Sequence, residues 1–161
     1  LATALVPELR DLQQKNETVT VRTLVGREGF ITNLQEVIES AARQKNKTMS
    51  IIGGARDVDV YETLGDWYES YIKMLREYKV KKRLLAPSSF SHIFSKKFAK
   101  EEGSELHTLP HGLTSPTYTR ITEEMVTIEL YKPHIVVIQI RSKAVARGYL
   151  DSFELLWKSP R

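Results

Sequence analysis

Ile135-Val-Val-Ile-Gln-Ile140, continued through Arg141-Ser-Lys143 to the run Phe153-Glu-Leu-Leu-Trp157, is the stretch that decides the fold class of this chain. Its first six residues are almost wholly apolar and β-branched, which is typical of a buried strand. Over residues 142–157 the apolar positions recur at the 3.6-residue period of a helix. A buried strand that leads into an amphipathic helix indicates a sheet covered by helices.

Towards the N-terminus, strand and helix patterns alternate. Strands are predicted where β-branched or apolar residues alternate or run together, and helices where apolar residues fall three or four positions apart. The order of these segments predicts an α/β fold with a mixed β-sheet flanked by helices. It also predicts a turn over residues 26–29 and a hairpin of the strands 116–121 and 125–131 that turns at residues 122–124. The predicted strands are 18–25, 48–53, 82–86, 106–110, 116–121, 125–131 and 135–140, and the predicted helices before the last one are 30–44, 61–78 and 91–100.

A leucine stripe opens the chain. Because Leu1, Leu5, Leu9 and Leu12 fall at helical spacing, residues 1–16 are predicted to form an amphipathic linker helix. The stripe has two possible packing partners: the body of this domain, or a second helix in a dimer. The chain starts inside this helical pattern without an initiator methionine, so we expect a longer parent protein and favour dimerisation. Residues 17–161 are then one domain.

Composition excludes several classes of protein. The 161 residues contain no cysteine, which rules out disulfides, thiolate nucleophiles and cysteine-ligated zinc. No apolar run is long enough to span a bilayer and no signal-peptide pattern opens the chain, so we expect a soluble, cytoplasmic protein without a membrane partner. The net charge of +4 is mild, and the densest basic run, residues 79–83, is interpreted as solvated surface in preference to a phosphate-binding patch.

The sequence offers no common catalytic or metal-binding motif. Neither a Gly-x-Ser-x-Gly elbow nor a phosphate loop is present. His107 and His111 are four residues apart, but Pro110 and Gly112 exclude a helical metal-binding face between them. We therefore predict no metal site and no cofactor.

The ordered series of motifs resembles the TrmB family of transcriptional regulators, and Phe153-Glu-Leu-Leu-Trp157 is the best single match. The resemblance implies a phospholipase-D-like effector domain over residues 17–161, of a kind that dimerises and, in characterised archaeal members, senses sugars. It also implies that DNA is bound only through a winged-helix domain that is not among these residues. The other matching segments are 5–9, 19–30, 51–53, 67–71, 80–87 and 116–121.

The resemblance also bears on catalysis. Active members of the phospholipase-D fold carry His-x-Lys-x-x-x-x-Asp, with the histidine as nucleophile. After the strand 135–140, Arg141 stands where that histidine would be, Lys143 has the lysine position and Gly148 replaces the aspartate. Phosphodiester transfer through a covalent intermediate then has no starting group. We predict that the chain is not an enzyme and has no catalytic residue.

The predicted function is therefore a module that senses a ligand and forms a homodimer. A small anionic or sugar-like effector is expected in a cleft at the C-terminal ends of the strands, where arginine and lysine suit an anion. Two alternatives stay open, a pure dimerisation scaffold without a ligand and a degenerate phosphodiesterase or nuclease. The candidate ligand-binding residues are Gly53, Gly54, Arg56, Tyr118, Arg120, Arg141, Ser142 and Lys143, and the candidate dimerisation residues are Leu1, Leu5, Leu9 and Leu12.

Overall fold

The structure, a computed structural model, describes residues 18–53, 58–90, 92–113 and 115–159. The predicted linker helix, residues 1–16, lies outside the described residues. The strands are β1 (Thr20–Val25), β2 (Thr48–Ile52), β3 (Lys81–Ala86), β4 (Ser104–Thr108), β5 (Tyr118–Ile121), β6 (Met125–Leu130) and β7 (Val136–Arg141). The helices are α1 (Gly26–Arg43), α2 (Val58–Leu64), α3 (Tyr68–Tyr78), α4 (His92–Lys100) and α5 (Lys143–Trp157).

The seven described strands form one mixed sheet in the order β1-β7-β6-β5-β2-β3-β4. The pairs β2–β3 and β3–β4 are parallel. The pairs β1–β7, β7–β6, β6–β5 and β5–β2 are antiparallel. The predicted fold class, a mixed sheet flanked by helices, is confirmed, and so is the hairpin formed by β5 and β6.

Two layers of helices cover the sheet. The helices α1, α2, α3 and α4 pack on what we call the four-helix face, with Phe30, Leu34, Leu64 and Phe94 in its core. Helix α5 packs on the opposite face, the α5 face, where its Ala146 and Phe153 meet sheet residues Leu85, Ile121 and Val126. The alternation of side chains along each strand supplies both cores, because successive residues point to opposite faces.

Helix α1 begins earlier than predicted. It starts at Gly26, directly after β1, where the sequence indicated a turn over residues 26–29. Gly26 has a φ of +70°, a conformation that lets the chain leave the strand without a separate loop. Gly29 is helical, and a Cβ added there would lie 3.0 Å from Leu24 Cβ. These glycines therefore allow the helix to pack closely against its own strand.

The predicted single helix 61–78 is also wrong in detail. The chain forms α2, then a 3₁₀ turn over Gly65–Trp67, then α3. Gly65 has a φ of +49°, which a continuous right-handed helix does not contain. Apolar periodicity continues through the break, so the sequence pattern concealed it. In the described part of the chain, no helix combines the length and apolar character needed to cross a membrane.

The end of β2 gives the first prediction. A Cβ added to Gly53 would lie 2.8 Å from Phe90 Cζ and 3.3 Å from Leu84 Cδ1. Gly53→Ala should therefore lower the free energy of unfolding by about 1–3 kcal/mol through overpacking. The matched control is Gly148→Ala in α5, where nothing lies within 4 Å of the added carbon.

Because alanine favours a helix more than glycine does, the control should raise stability by about 0.5–1 kcal/mol. Urea unfolding of both variants checks the pair. Equal effects of the two substitutions would contradict the close contact between Gly53 and Phe90.

Candidate functional site

The candidate ligand residues that the structure describes fall into two groups, which lie toward opposite ends of the strands. Three successive antiparallel pairings connect β2 to β7, so these two strands run in opposite directions. Gly53 follows the C-terminal end of β2, whereas Arg141, Ser142 and Lys143 lie at and just beyond the C-terminal end of β7. The structure therefore corrects the idea of one cleft that contains both groups.

The first group does come together in part. Ile52 of β2 pairs with Thr119 of β5, which places Gly53 beside Tyr118. The Phe90 ring stacks at 6.2 Å from the Tyr118 ring and closes the space above Gly53. Gly54 and Arg56 lie outside the described residues.

Arg120, the other member of this group, is held inside the protein by Glu129. Its Nε donates to Glu129 Oε1 at 2.7 Å, and both side chains are buried. The Tyr131 hydroxyl donates to Glu129 Oε2 at 2.6 Å. Asn33 Nδ2 of α1 donates to Oε1 at 3.3 Å. The guanidinium predicted to hold an anionic ligand thus has an internal carboxylate as its partner.

The electrostatics around Arg120, Glu129 and Tyr131 keep the arginine and the glutamate charged and paired. Burial is the largest influence and disfavours the charged form of Arg120, but the carboxylate of Glu129 together with the neighbouring Tyr71 and Tyr131 outweighs it and raises the arginine pKa above its usual value. Burial and the same carboxylate raise the pKa of Tyr131 well above that of a free phenol. Arg120 therefore stays charged and Tyr131 stays a hydrogen-bond donor at neutral pH.

A second buried pair lies nearby on the four-helix face. Lys82 of β3 forms an ion pair with Glu101, and both side chains are almost fully buried. Tyr61 and Tyr68 donate to Glu101 Oε1 at 2.9 and 3.0 Å. Burial, followed by the charge of Glu101, raises the pKa of both tyrosines far above the usual value. The ammonium of Lys97 lies 4.2 Å from both ring centroids.

The basic run 79–83 is thus only partly the solvated surface that its composition indicated. Lys79 and Lys81 are exposed, but Lys82 is buried. Arg83, on the other face, pairs with Glu154 of α5 and lies 5.0 Å from the Phe153 ring. The strand alternation divides consecutive cations between solvent and interior.

The space between the two buried pairs is small. A cavity of about 20 Å³ lies there, enough for a single water molecule. A sugar or nucleotide does not fit in it. Nowhere in the described ranges do three histidine, aspartate or glutamate side chains stand close enough together to hold a metal ion. The cavity is lined by Ile51, Val60, Tyr61, Leu64, Tyr71, Lys82, Phe94, Phe98, Glu101, Tyr118 and Arg120.

The second group of predicted residues is closer to solvent. Arg141 is partly exposed and donates to Glu36 Oε2 at 2.8 Å. Ser142 caps α5, since its Oγ accepts from the Val145 N–H at 3.1 Å. Lys143 is the first residue of that helix and is exposed. A cap and two cations thus lie at a helix N-terminus, where the backbone dipole favours an anion.

Glu36 connects this group to β1, the strand at the edge of the sheet. Besides Arg141, its Oε2 accepts from Gln139 Nε2 at 2.9 Å and from Arg22. Burial raises the pKa of Glu36, but the hydrogen bonds from Arg22, Gln139 and Arg141 outweigh it, so its pKa lies below the usual value. Glu36 is ionised at neutral pH and holds two arginines in place.

Sequence reasoning missed the acidic partners Glu129, Glu101 and Glu36. A signal was available for the first of them. Arg120 and Glu129 carry opposite charges in two strands predicted to form a hairpin, and in the observed register, where Ile121 pairs with Val126, they lie on the same face. The other two face cations that are distant in sequence, and no local pattern connects them.

Glu129 gives a prediction about stability. Glu129→Leu should lower the free energy of unfolding by about 3–5 kcal/mol, because it leaves Arg120 charged and buried without a partner. The double variant Arg120→Met with Glu129→Leu should lose much less than the two single variants together. Urea unfolding of the three variants tests the coupling, and strict additivity would show that the two residues do not act as a pair.

Glu36 gives a prediction about pH. Because its folded pKa is lowered, its ionised form adds stability above the unfolded pKa of about 4.3, and this stability is lost as the pH falls through the folded pKa. Glu36→Gln should therefore cost about 1 kcal/mol at neutral pH, given the partial exposure of its arginine partners, and little at pH ~3. The control is Glu39→Gln, exposed on the same helix. A cost that does not change with pH would contradict the assigned contacts.

Comparisons with known proteins now place this architecture. No protein-family profile matches the chain, and no curated protein is significantly similar to it. Solved structures do match. TrmBL2, described as an archaeal chromatin protein with a novel mode of DNA binding, has a TM-score of 0.54 and 16% identity over 98% of this chain and 59% of its own.

Two further structures match over nearly their whole length. NucT from Helicobacter pylori has a TM-score of 0.59 and 8% identity over 88% of this chain and 98% of its own. Nuc from Salmonella typhimurium, a phospholipase D family member, has a TM-score of 0.59 and 11% identity over 89% of this chain and 97% of its own. At such identities the likeness concerns the fold alone. The chain therefore has a phospholipase-D-like α/β fold.

Proposed function

We propose that this chain is the effector domain of a TrmB-like transcriptional regulator, which binds a small anion and forms a dimer, and that it is not an enzyme. The observation that carries the non-enzymatic part of the proposal is the buried pair of Arg120 and Glu129, joined by Tyr131. An arginine that is neutralised inside the protein and shielded from solvent cannot bind a phosphodiester without breaking that pair.

The sequence agrees with the absence of catalysis. The phospholipase-D mechanism uses a histidine followed by a lysine two positions later. None of the four histidines has that neighbour, because Phe94, Leu109, Leu113 and Val136 stand two residues after His92, His107, His111 and His134 respectively. Without this pair, the covalent route has no nucleophile within these residues.

The likeness to TrmBL2 supports the regulatory part of the proposal. That protein is described as a chromatin protein that binds DNA, and this chain spans 59% of it. We infer that the parent protein contacts DNA through another domain and that this domain conveys the state of its effector. A dimer would fix the spacing between two such DNA-binding domains.

We place the effector at the N-terminus of α5. Arg141 and Lys143 are accessible there, and Arg147 lies one turn further along the exposed side of the helix. An anionic group would gain from Lys143, from Arg147 and from the helix dipole. Arg141 projects to the four-helix face, where Glu36 holds it by a hydrogen bond, so an anion that also engaged this side chain would have to compete with that carboxylate. A sugar phosphate or a nucleotide has the required charge.

Thermal unfolding with sugars, sugar phosphates and nucleotides tests this proposal. A ligand present at about 100 times its Kd adds about 2.7 kcal/mol of stability, which should raise the Tm by about 5–10 °C in a domain of this size. Lys143→Ala should abolish the shift. The matched control is Lys158→Ala, since Lys158 is exposed at the opposite end of the same helix.

Two further outcomes separate the alternatives. If no compound shifts the Tm but sedimentation shows a dimer, the chain is a scaffold without a ligand. If the chain hydrolyses a chromogenic phosphodiester and Lys143→Ala removes that activity, it is an enzyme and the proposal is overturned. A strict monomer at high concentration in sedimentation would contradict the dimer.

A further inference from the structure

An open pocket lies where the helices α3 and α4 end. Its volume is about 170 Å³, whereas the cavity between the two buried ion pairs holds a single water molecule. Residues 79–81, directly after α3, and residues 101–103, directly after α4, line it. Three strands lie between β3 and β7 in the sheet, so the pocket is on the order of 20 Å from the N-terminus of α5. It is therefore distinct from the effector site proposed above.

The floor of this pocket is aliphatic. Leu75 and Val80 are only 5% and 3% exposed, and the half-buried Ile72 lies beside them on α3. A dry apolar cavity of about 150 Å³ holds a molecule of the size of benzene. The pocket therefore has room for a branched aliphatic group such as the side chain of leucine.

The rim of the pocket carries charges of both signs. Arg76 Nε lies 3.4 Å from Glu102 Oε2, so an ion pair joins the α3 wall to the turn after α4. The two side chains are 66% and 78% exposed, and exposed pairs contribute little stability. Lys79, whose N–H donates to the Arg76 carbonyl at 3.1 Å, adds a second exposed cation. Arg76 and Glu102 can therefore exchange each other for a ligand at small cost.

The two helix ends add negative potential to the rim. Helix α3 ends at Tyr78 and α4 at Lys100, and the C-terminus of a helix favours a cation. A simple anion in the pocket would meet this potential and the carboxylate of Glu102. A simple cation would meet Arg76 and Lys79. A ligand that carries both charges suits the rim better than either.

We propose that this pocket binds a free α-amino acid with a branched aliphatic side chain. The ligand's carboxylate pairs with Arg76 and Lys79, and its ammonium pairs with Glu102 near the helix ends. Its side chain lies on Leu75 and Val80, where it is removed from water. The site goes beyond the anion proposed at α5 and uses none of the same residues.

Four compounds measure what each part of the ligand contributes. L-Leucine carries both charges and the branched chain, 4-methylpentanoate lacks the ammonium, 3-methylbutylamine lacks the carboxylate, and L-alanine lacks the branched chain. Titration of the isotope-labelled full chain, followed by NMR at the backbone N–H groups of Val80 and Gly103, gives a Kd for each. L-Leucine should bind at least about threefold more tightly than each of the others.

Substitutions at exposed positions separate the two charges without disturbing the core. Glu102→Gln should weaken L-leucine about two- to fivefold and leave 4-methylpentanoate bound at least as tightly. Arg76→Gln should weaken both of these ligands but not 3-methylbutylamine. Lys73→Gln is the matched control and should change no Kd, since Lys73 is exposed on the same helix, pairs with Glu77 and does not line the pocket.

Three results would overturn the proposal. The first is binding of any of the other three compounds as tightly as L-leucine. The second is unchanged N–H signals of Val80 and Gly103 with L-leucine near its solubility limit. The third is an equal effect of Lys73→Gln and Glu102→Gln on the Kd of L-leucine. Because the pocket shares no residue with the N-terminus of α5, a failure here and a failure of anion binding at Lys143 are independent results.

Discussion

The carboxylate of Glu129 is the constraint on which the interior depends. A buried charge costs several kcal/mol unless it is paired and hydrogen-bonded. Glu129 meets that condition by accepting from Arg120 of the neighbouring strand, from Tyr131 beyond its own strand, and from Asn33 of α1. One side chain thus connects the hairpin to the helix that covers it. A slip of one residue between the two strands of the hairpin would put Arg120 and Glu129 on opposite faces of the sheet.

This arrangement shapes what the domain can do. The second pair, Lys82 with Glu101, closes the other side of the same region, and only a water-sized cavity separates the two. In this chain, the centre of the phospholipase-D-like fold is therefore tightly packed, and its two buried cations are neutralised by two buried carboxylates. Accessible positive charge remains at the N-terminus of α5, and an open pocket with an aliphatic floor remains where α3 and α4 end. These two places are where binding is expected.

Much of the local structure follows from the sequence period. The apolar run in β7 and the 3.6-residue pattern of α5 predicted those elements to within a residue or two. Glycines were harder to interpret. Gly26 and Gly29 indicated a turn but begin a helix, and Gly65 interrupts a pattern that looked continuous. In each case a backbone conformation or a close contact decided the outcome, and neither leaves a trace in apolar periodicity.

The sequence by itself determined the α/β class, the hairpin and the lack of any histidine with a lysine two residues later, since all of these are local properties. Only the tertiary structure decided that β7 runs opposite to β2, which separates Gly53 from Arg141. It also decided that Arg120 faces Glu129 and Lys82 faces Glu101. Strand order and charge pairing depend on contacts between residues distant along the chain. Local periodicity identifies the face on which a side chain lies, but it does not identify what lies opposite.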